Sequence, residues 1–161
     1  MRVFLDTEYT DETRRELISV GLVSEDGRRE MYLERNDYPR QWCSPFVLAE
    51  VLPHLGHDTF AICTLPEFRE RLQVWLQELP RAVHFACDSI VDLKLVREVL
   101  GGALPQNLAP RHYDLRPLID TPVYHRAVVA YHGHPQRPWH HALHDARAHR
   151  VGWLAWKASG R

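Results

Sequence analysis

The chain has 161 residues, of which 45% are hydrophobic and 25% charged, with a formal net charge of −1. The length suits one domain over residues 1–161 with a single core, and the composition is that of a soluble globular protein. The near-neutral charge argues against a grip on long nucleic acid, which usually needs a basic surplus; it leaves room for a site that holds about two or three nucleotides with the help of bound cations.

No apolar run reaches the ~18 residues of a membrane span, and no charged-then-apolar segment reads as a secretory signal. Cys43, Cys63 and Cys87 stand apart with no C-x-x-C. That argues against a disulfide framework and a cysteine zinc site, and fits a reducing, cytoplasmic setting.

Val3-Phe4-Leu5 predicts a buried first strand over residues 2–8, which ends in Asp6 and Glu8. Residues i and i+2 of a strand share a face, so the two carboxylates project together. Side by side they repel, and the usual neutraliser of clustered carboxylate oxygens is a hard divalent cation, Mg²⁺ or Mn²⁺. The bland alternative is a strand end with two solvated acids, and a D-x-E triplet alone does not decide between them.

Leu17 to Val23 is a second β-rich run, and Glu25-Asp26-Gly27 carries the Asp-Gly signature of a tight hairpin. Arg29 to Leu33 then makes a third strand, so the chain opens with an antiparallel meander. Between residues 36 and 64, Pro39, Pro45, Pro53 and Gly56 break the pattern around one short helix, Phe46 to Leu52. Phe68, Leu72, Trp75, Leu76 and Leu79 follow the helical period and predict an amphipathic helix over Leu65 to Leu79, with Pro66 in its first turn and Pro80 at its end.

Ala82 to Cys87 is a fourth strand ending at Asp88, followed by a helix from Leu93 to Leu100 that stops at Gly101-Gly102. His112 to Leu115 predicts a short fifth strand and Val123 to Tyr131 a helix. Gly133 to Pro138 is a loop, and the last helix runs from His140 to about Lys157. Strands first and strand–helix alternation afterwards indicate a mixed α/β sheet with helices packed on it, with catalytic residues at strand ends and the helices beside them.

Two later stretches carry chemistry. Asp88 and Asp92 follow a strand and head a helix; capping accounts for one acid there, and for two less well. Trp139 to Arg147 opens a helix whose face reads Ala142, Ala146, His149, Trp153 and Trp156, which is mostly packing. Asp145 lies on the edge of that face, between small neighbours that let another element approach, and a buried acid there needs a partner. Seven of the eleven histidines fall between His125 and His149. A zinc site through His140 and His144, four apart on a helix, is the competing reading; it leaves the acids outside the cluster unexplained.

Asp6-Thr7-Glu8, a middle Asp, and His140-His141-Ala142-Leu143-His144-Asp145-Ala146 occur in the order of the three exonuclease motifs of DEDDh-type, DnaQ-like 3′–5′ exonucleases, and the chain resembles that family. Its opening, from Phe4-Leu5-Asp6-Thr7-Glu8-Tyr9 into Leu17 to Arg28, looks closest to the small bacterial 3′–5′ exoribonuclease domain of mycobacterial type.

The resemblance implies a ribonuclease H-like fold and two divalent cations, Mg²⁺ or Mn²⁺, held about 3.5–4 Å apart. By that resemblance Asp6 bridges both ions, Glu8 and Asp145 complete the ion that holds the attacking water, a middle Asp serves the other, and His140 is the general base. The middle motif's spacing, with apolar Leu95 and Val96 three and four residues on, favours Asp92. Asp88 stands where many members carry Asn and would act from behind it; which of the two touches metal stays open. His141 would be a spectator, and Tyr9 would either stack on a terminal base or pack in the fold.

The expected activity is a metal-dependent 3′–5′ exoribonuclease that releases nucleoside 5′-monophosphates from short single strands or 3′ overhangs. RNA is favoured over DNA as partner, no membrane is involved, and a homodimer follows from the resemblance only. The alternatives are a DNA-directed exonuclease and a non-catalytic nucleotide-binding or interaction module on the same fold.

Overall fold

The three opening strands form as the residue pattern dictates. In the computed structural model, which describes residues 1–80, 82–102 and 104–160, β1 spans Arg2–Tyr9, β2 Leu17–Ser24 and β3 Glu30–Arg35. Gly27 makes the β2–β3 turn with φ 72°, a left-handed conformation open to glycine, and the Ser24 hydroxyl donates to Asp26 Oδ1 at 2.6 Å beside it.

Short strands then extend the sheet at both edges: β4 (Ile62–Cys63), β5 (His84–Cys87) and β6 (Tyr113–Asp114). The order is β4-β3-β2-β1-β5-β6. β1–β2 and β2–β3 are antiparallel; β3–β4, β1–β5 and β5–β6 are parallel. The result is a mixed six-stranded α/β sheet with β1 and β2 at its centre.

Every residue of β2 is buried, because both faces of the sheet are covered. The pleat of β1 sorts its side chains between two cores. Val3 and Leu5 face a cluster with Phe68, Leu72 and Leu76 of α1 (Leu65–Gln77) and Leu93 and Val96 of α2 (Ile90–Leu100). Phe4 faces a second cluster with Tyr124 of α4 (Pro122–His132) and Trp153 of α5 (Ala142–Ala158). A four-residue helix, α3 (Arg116–Ile119), leads into α4.

Several boundaries differ from the sequence pattern. α1 ends at Gln77 rather than Leu79, and α5 starts at Ala142 rather than His140. α2 begins three residues earlier than the apolar pattern indicates, because Ser89 caps it: its hydroxyl accepts from the Val91 N–H at 3.1 Å. The helix over Phe46 to Leu52 is wound as a π turn at Val47–Val51, followed by a 3₁₀ turn at Leu52–His54, where Pro53 has no N–H to offer an α-helical ladder. Among the described residues no helix is long and apolar enough to cross a membrane.

α5 lies against the sheet through one contact that only glycine permits. Gly21 of β2 pairs with Asp6 of β1. A Cβ there would fall inside the carbonyl of Ala142, in the first turn of α5. That approach brings the start of α5 down onto the end of β1.

Candidate active site

Alternation along β1 sends Asp6 and Glu8 to the same face as Phe4, the face that α5 covers. Asp145, in the first turn of α5, meets them there. One carboxylate oxygen from each of Asp6, Glu8 and Asp145 lies within 4.8 Å of the other two. Among the described residues this is the one group of His, Cys, Asp and Glu side chains spaced to hold a metal ion. The histidine zinc arrangement is not assembled: His140 precedes α5 rather than sharing its face, and His144 Nδ1 is 3.0 Å from the Tyr131 hydroxyl.

Asp92 comes from the other side of the sheet. It occupies the third position of α2, where a capping acid would turn back to Ser89. Instead its Oδ1 accepts from the hydroxyl of Thr7 at 2.6 Å, the β1 residue between Asp6 and Glu8 whose side chain points to the α2 face. Asp92 is buried, and it stands outside the tight three-acid group.

Asp88 precedes the α2 cap, so it does not share a helical face with Asp92. Its Oδ1 is 3.5 Å from Nε2 of His149 on α5, and His149 Nδ1 is 2.7 Å from the Tyr124 hydroxyl.

The electrostatics follow from burial. Glu8 is pushed up to about 8 by desolvation and then by the charges of Asp145 and Asp92. Asp6 is held well above the usual carboxylate range by desolvation, then Asp145, Asp92, Glu8 and Asp88. Asp92 rises to about 7, mainly through burial, with the Thr7 hydrogen bond opposing and Asp88 adding repulsion. Asp88 differs: burial pushes it up, but the His149 imidazole outweighs that and holds it below its ordinary value. Burial and mutual repulsion thus make Asp6, Glu8 and Asp92 hard to ionise together, whereas Asp88 is matched by His149.

His140 lines the same cleft with φ 60°, the one non-glycine residue among those described with positive φ. Its ring meets Phe46 edge-on at 4.9 Å. A histidine held in that conformation stores strain that packing must offset, which is common where geometry serves a site. His141 turns away and stacks on Tyr32 at 4.4 Å; burial lowers it to about 4, so it is neutral near pH 7. Its backbone N–H nevertheless donates to Asp145 Oδ2 at 3.0 Å. Tyr9 sits on the rim, its hydroxyl donating to Glu12 Oε1 at 2.7 Å.

All seven side chains singled out in the sequence, Asp6, Glu8, Tyr9, Asp88, Asp92, His140 and Asp145, line one cleft of about 590 Å³. No protein-family model matches the chain and no curated protein matches it, so the chemistry has to be read from this geometry.

Thr7, His132 and Tyr124 carry no signal in the sequence, and His149 lies on the packing face of α5. Each acts through a contact between separate elements: Thr7 on Asp92, His149 on Asp88 with Tyr124 behind it, and His132 on Asp145. Only the density of histidines between His125 and His149 marked the region in advance.

The donor set suits a divalent cation of the hard class. It is all oxygen and carboxylate-rich, and burial makes Asp6 and Glu8 hard to ionise together unless a positive charge joins them. Asp6, Glu8 and Asp145 would hold such an ion.

Proposed function

We propose that the protein is a metal-dependent 3′–5′ exoribonuclease on a ribonuclease H-like fold. It hydrolyses the terminal phosphodiester of a short single strand or 3′ overhang and releases a nucleoside 5′-monophosphate. The observation that carries this reading is the convergence of Asp6, Glu8 and Asp145, from two elements far apart in sequence, within 4.8 Å in a cleft that also holds Asp92 and His140.

Two bound Mg²⁺ or Mn²⁺ ions would supply the charge that stabilises the phosphoryl oxygens and the departing 3′ oxygen. The chain's own residues do the rest. Asp6, Glu8 and Asp145 would hold the cations, and Thr7 orients the Asp92 carboxylate from the opposite face of β1. His140, held at the mouth of the cleft against Phe46, takes the proton of the attacking water. The cleft has the size of a small-ligand site, which suits a strand end better than a duplex.

The test is a short RNA labelled at its 5′ end, incubated with the full chain and Mn²⁺ or Mg²⁺, beside the matching DNA. Stepwise shortening from the 3′ end of the RNA supports the proposal. Faster shortening of the DNA transfers the activity to a DNA-directed exonuclease. Retention of the RNA without cleavage means a binding module.

A further inference from the structure

We propose that His132 is a positioning residue for Asp145: its Nε2 orients the carboxylate, and its Nδ1 holds the loop that carries His140. The inference rests on the metal-dependent reading above and adds to it a residue outside the expected motifs.

His132 ends α4, and its side chain is 1% exposed. Nδ1 is 3.0 Å from the carbonyl of Arg137, an atom that only accepts, so Nδ1 carries a proton. Trp139 stacks on the same ring, centroids 3.8 Å apart. Residues 133–139 are therefore pinned to one imidazole, and His140 follows directly.

On its other side the ring faces the acids. Nε2 is 3.2 Å from Asp145 Oδ1, a hydrogen-bond length, but Oδ1 lies off the ring N–H direction and Nε2 has no aligned partner. Buried polar atoms rarely stay unpaired without a reason. With the Nδ1 proton committed to Arg137, joining Nε2 to Oδ1 takes one proton shared between the ring and the carboxyl group, and a small turn of either closes the 3.2 Å approach into a hydrogen bond. The other oxygen, Oδ2, already accepts from the His141 N–H. With one contact on each oxygen, the carboxyl group of Asp145 is fixed beside Asp6 and Glu8. Donors of this kind behind a carboxylate ligand tune the metal it holds.

The two nitrogens can be separated by substitution. In His132→Asn the side-chain amide falls near the place of Nδ1 and can still hold Arg137, with nothing at Nε2. In His132→Gln the amide reaches the place of Nε2. Mn²⁺ binding to each full-length, folded variant is measured by calorimetry, and RNA shortening is followed over a Mn²⁺ series.

His132→Asn is expected to bind Mn²⁺ about 10–100-fold more weakly than wild type. Excess Mn²⁺ should restore most of its rate, and His132→Gln should bind more tightly than His132→Asn. Wild-type Mn²⁺ affinity in His132→Asn, equal losses in both variants, or a rate that no Mn²⁺ concentration restores would each overturn the inference. A wild type that binds Mn²⁺ without shortening RNA sinks the exoribonuclease reading but leaves the positioning role decided by affinity. A wild type that binds no Mn²⁺ ends both.

Discussion

At the scale of single residues, the proposed function divides the cleft between groups that would act on substrate and groups that hold them. His140 faces the cleft in a left-handed backbone conformation, while its neighbour His141 is buried against Tyr32. His140→Ala should therefore lower turnover by about 10²–10⁴-fold, the usual size for a general base, with Mn²⁺ binding retained. His141→Ala keeps the backbone N–H that holds Asp145 and should remain active. Steady-state rates with a short RNA, together with a Mn²⁺ titration, check both; an active His140→Ala beside an inactive His141→Ala would exchange the roles. The two middle acids are distinguished by their partners. Asp92 reaches β1 through Thr7 and stays difficult to ionise, whereas Asp88 is already matched by His149. Asp92→Asn should abolish turnover with Mg²⁺. Asp88→Asn should leave a remainder, with a loss of about 10–100-fold, as for a group that acts through its neighbours. A dead Asp88→Asn beside an active Asp92→Asn would reverse the assignment.

At the scale of elements, the site depends on how closely α5 approaches β2. Gly21, opposite Asp6, is where the two backbones touch. A methyl group there meets the carbonyl of Ala142, which is backbone and cannot swing aside. Gly21→Ala should push the first turn of α5 off the sheet and carry Asp145 away from Asp6 and Glu8. Overpacking of this kind typically costs about 1–3 kcal/mol. Urea unfolding should show that loss, and the RNA assay should show a fall in turnover larger than the unfolded fraction explains. Unaltered activity in a folded Gly21→Ala protein would mean that the α5 contact does not set the acids. Gly152 plays the same part further along α5, where a Cβ would stand 2.8 Å from the ring of Tyr124, the residue that bonds His149.

At the scale of the whole molecule, the acidic cluster should make stability depend on pH and, on the proposed function, on cations. Glu8, with an ordinary value of 4.5, is raised to about 8 in the fold, and Asp92 from 3.8 to about 7. Between those limits the folded protein holds protons that the unfolded chain has released, so stability falls as pH rises through the folded values. His141, lowered from 6.5 to about 4, gives the opposite slope only below pH 6.5. In EDTA the melting temperature should therefore drop between pH 6.5 and 8.5. Mn²⁺ should remove most of that slope and stabilise the fold by about 2.7 kcal/mol at a hundredfold excess over Kd. A melting temperature that ignores both pH and Mn²⁺ would contradict the clustered-carboxylate description.

What the sequence determined by itself was local. The apolar run before Asp6, the Asp-Gly turn at Gly27 and the helical period from Phe68 to Leu76 act over a few residues, so their patterns declare strand, turn and helix directly. The two-residue period of β1 also sufficed to set Asp6 and Glu8 side by side. The start of α2 was less legible because its first two residues, Ile90 and Val91, are β-branched, and the Ser89 cap is what sets the boundary. Tertiary structure decided which distant groups meet those acids. Thr7 reaches Asp92 across 85 positions, and His132 lies beside Asp145 only because α4 folds back along α5. Such contacts leave no periodic trace in the chain: they depend on helix approach, which Gly21 permits through the absence of a side chain, and on a pleat that turns Thr7 to one face and its two neighbours to the other.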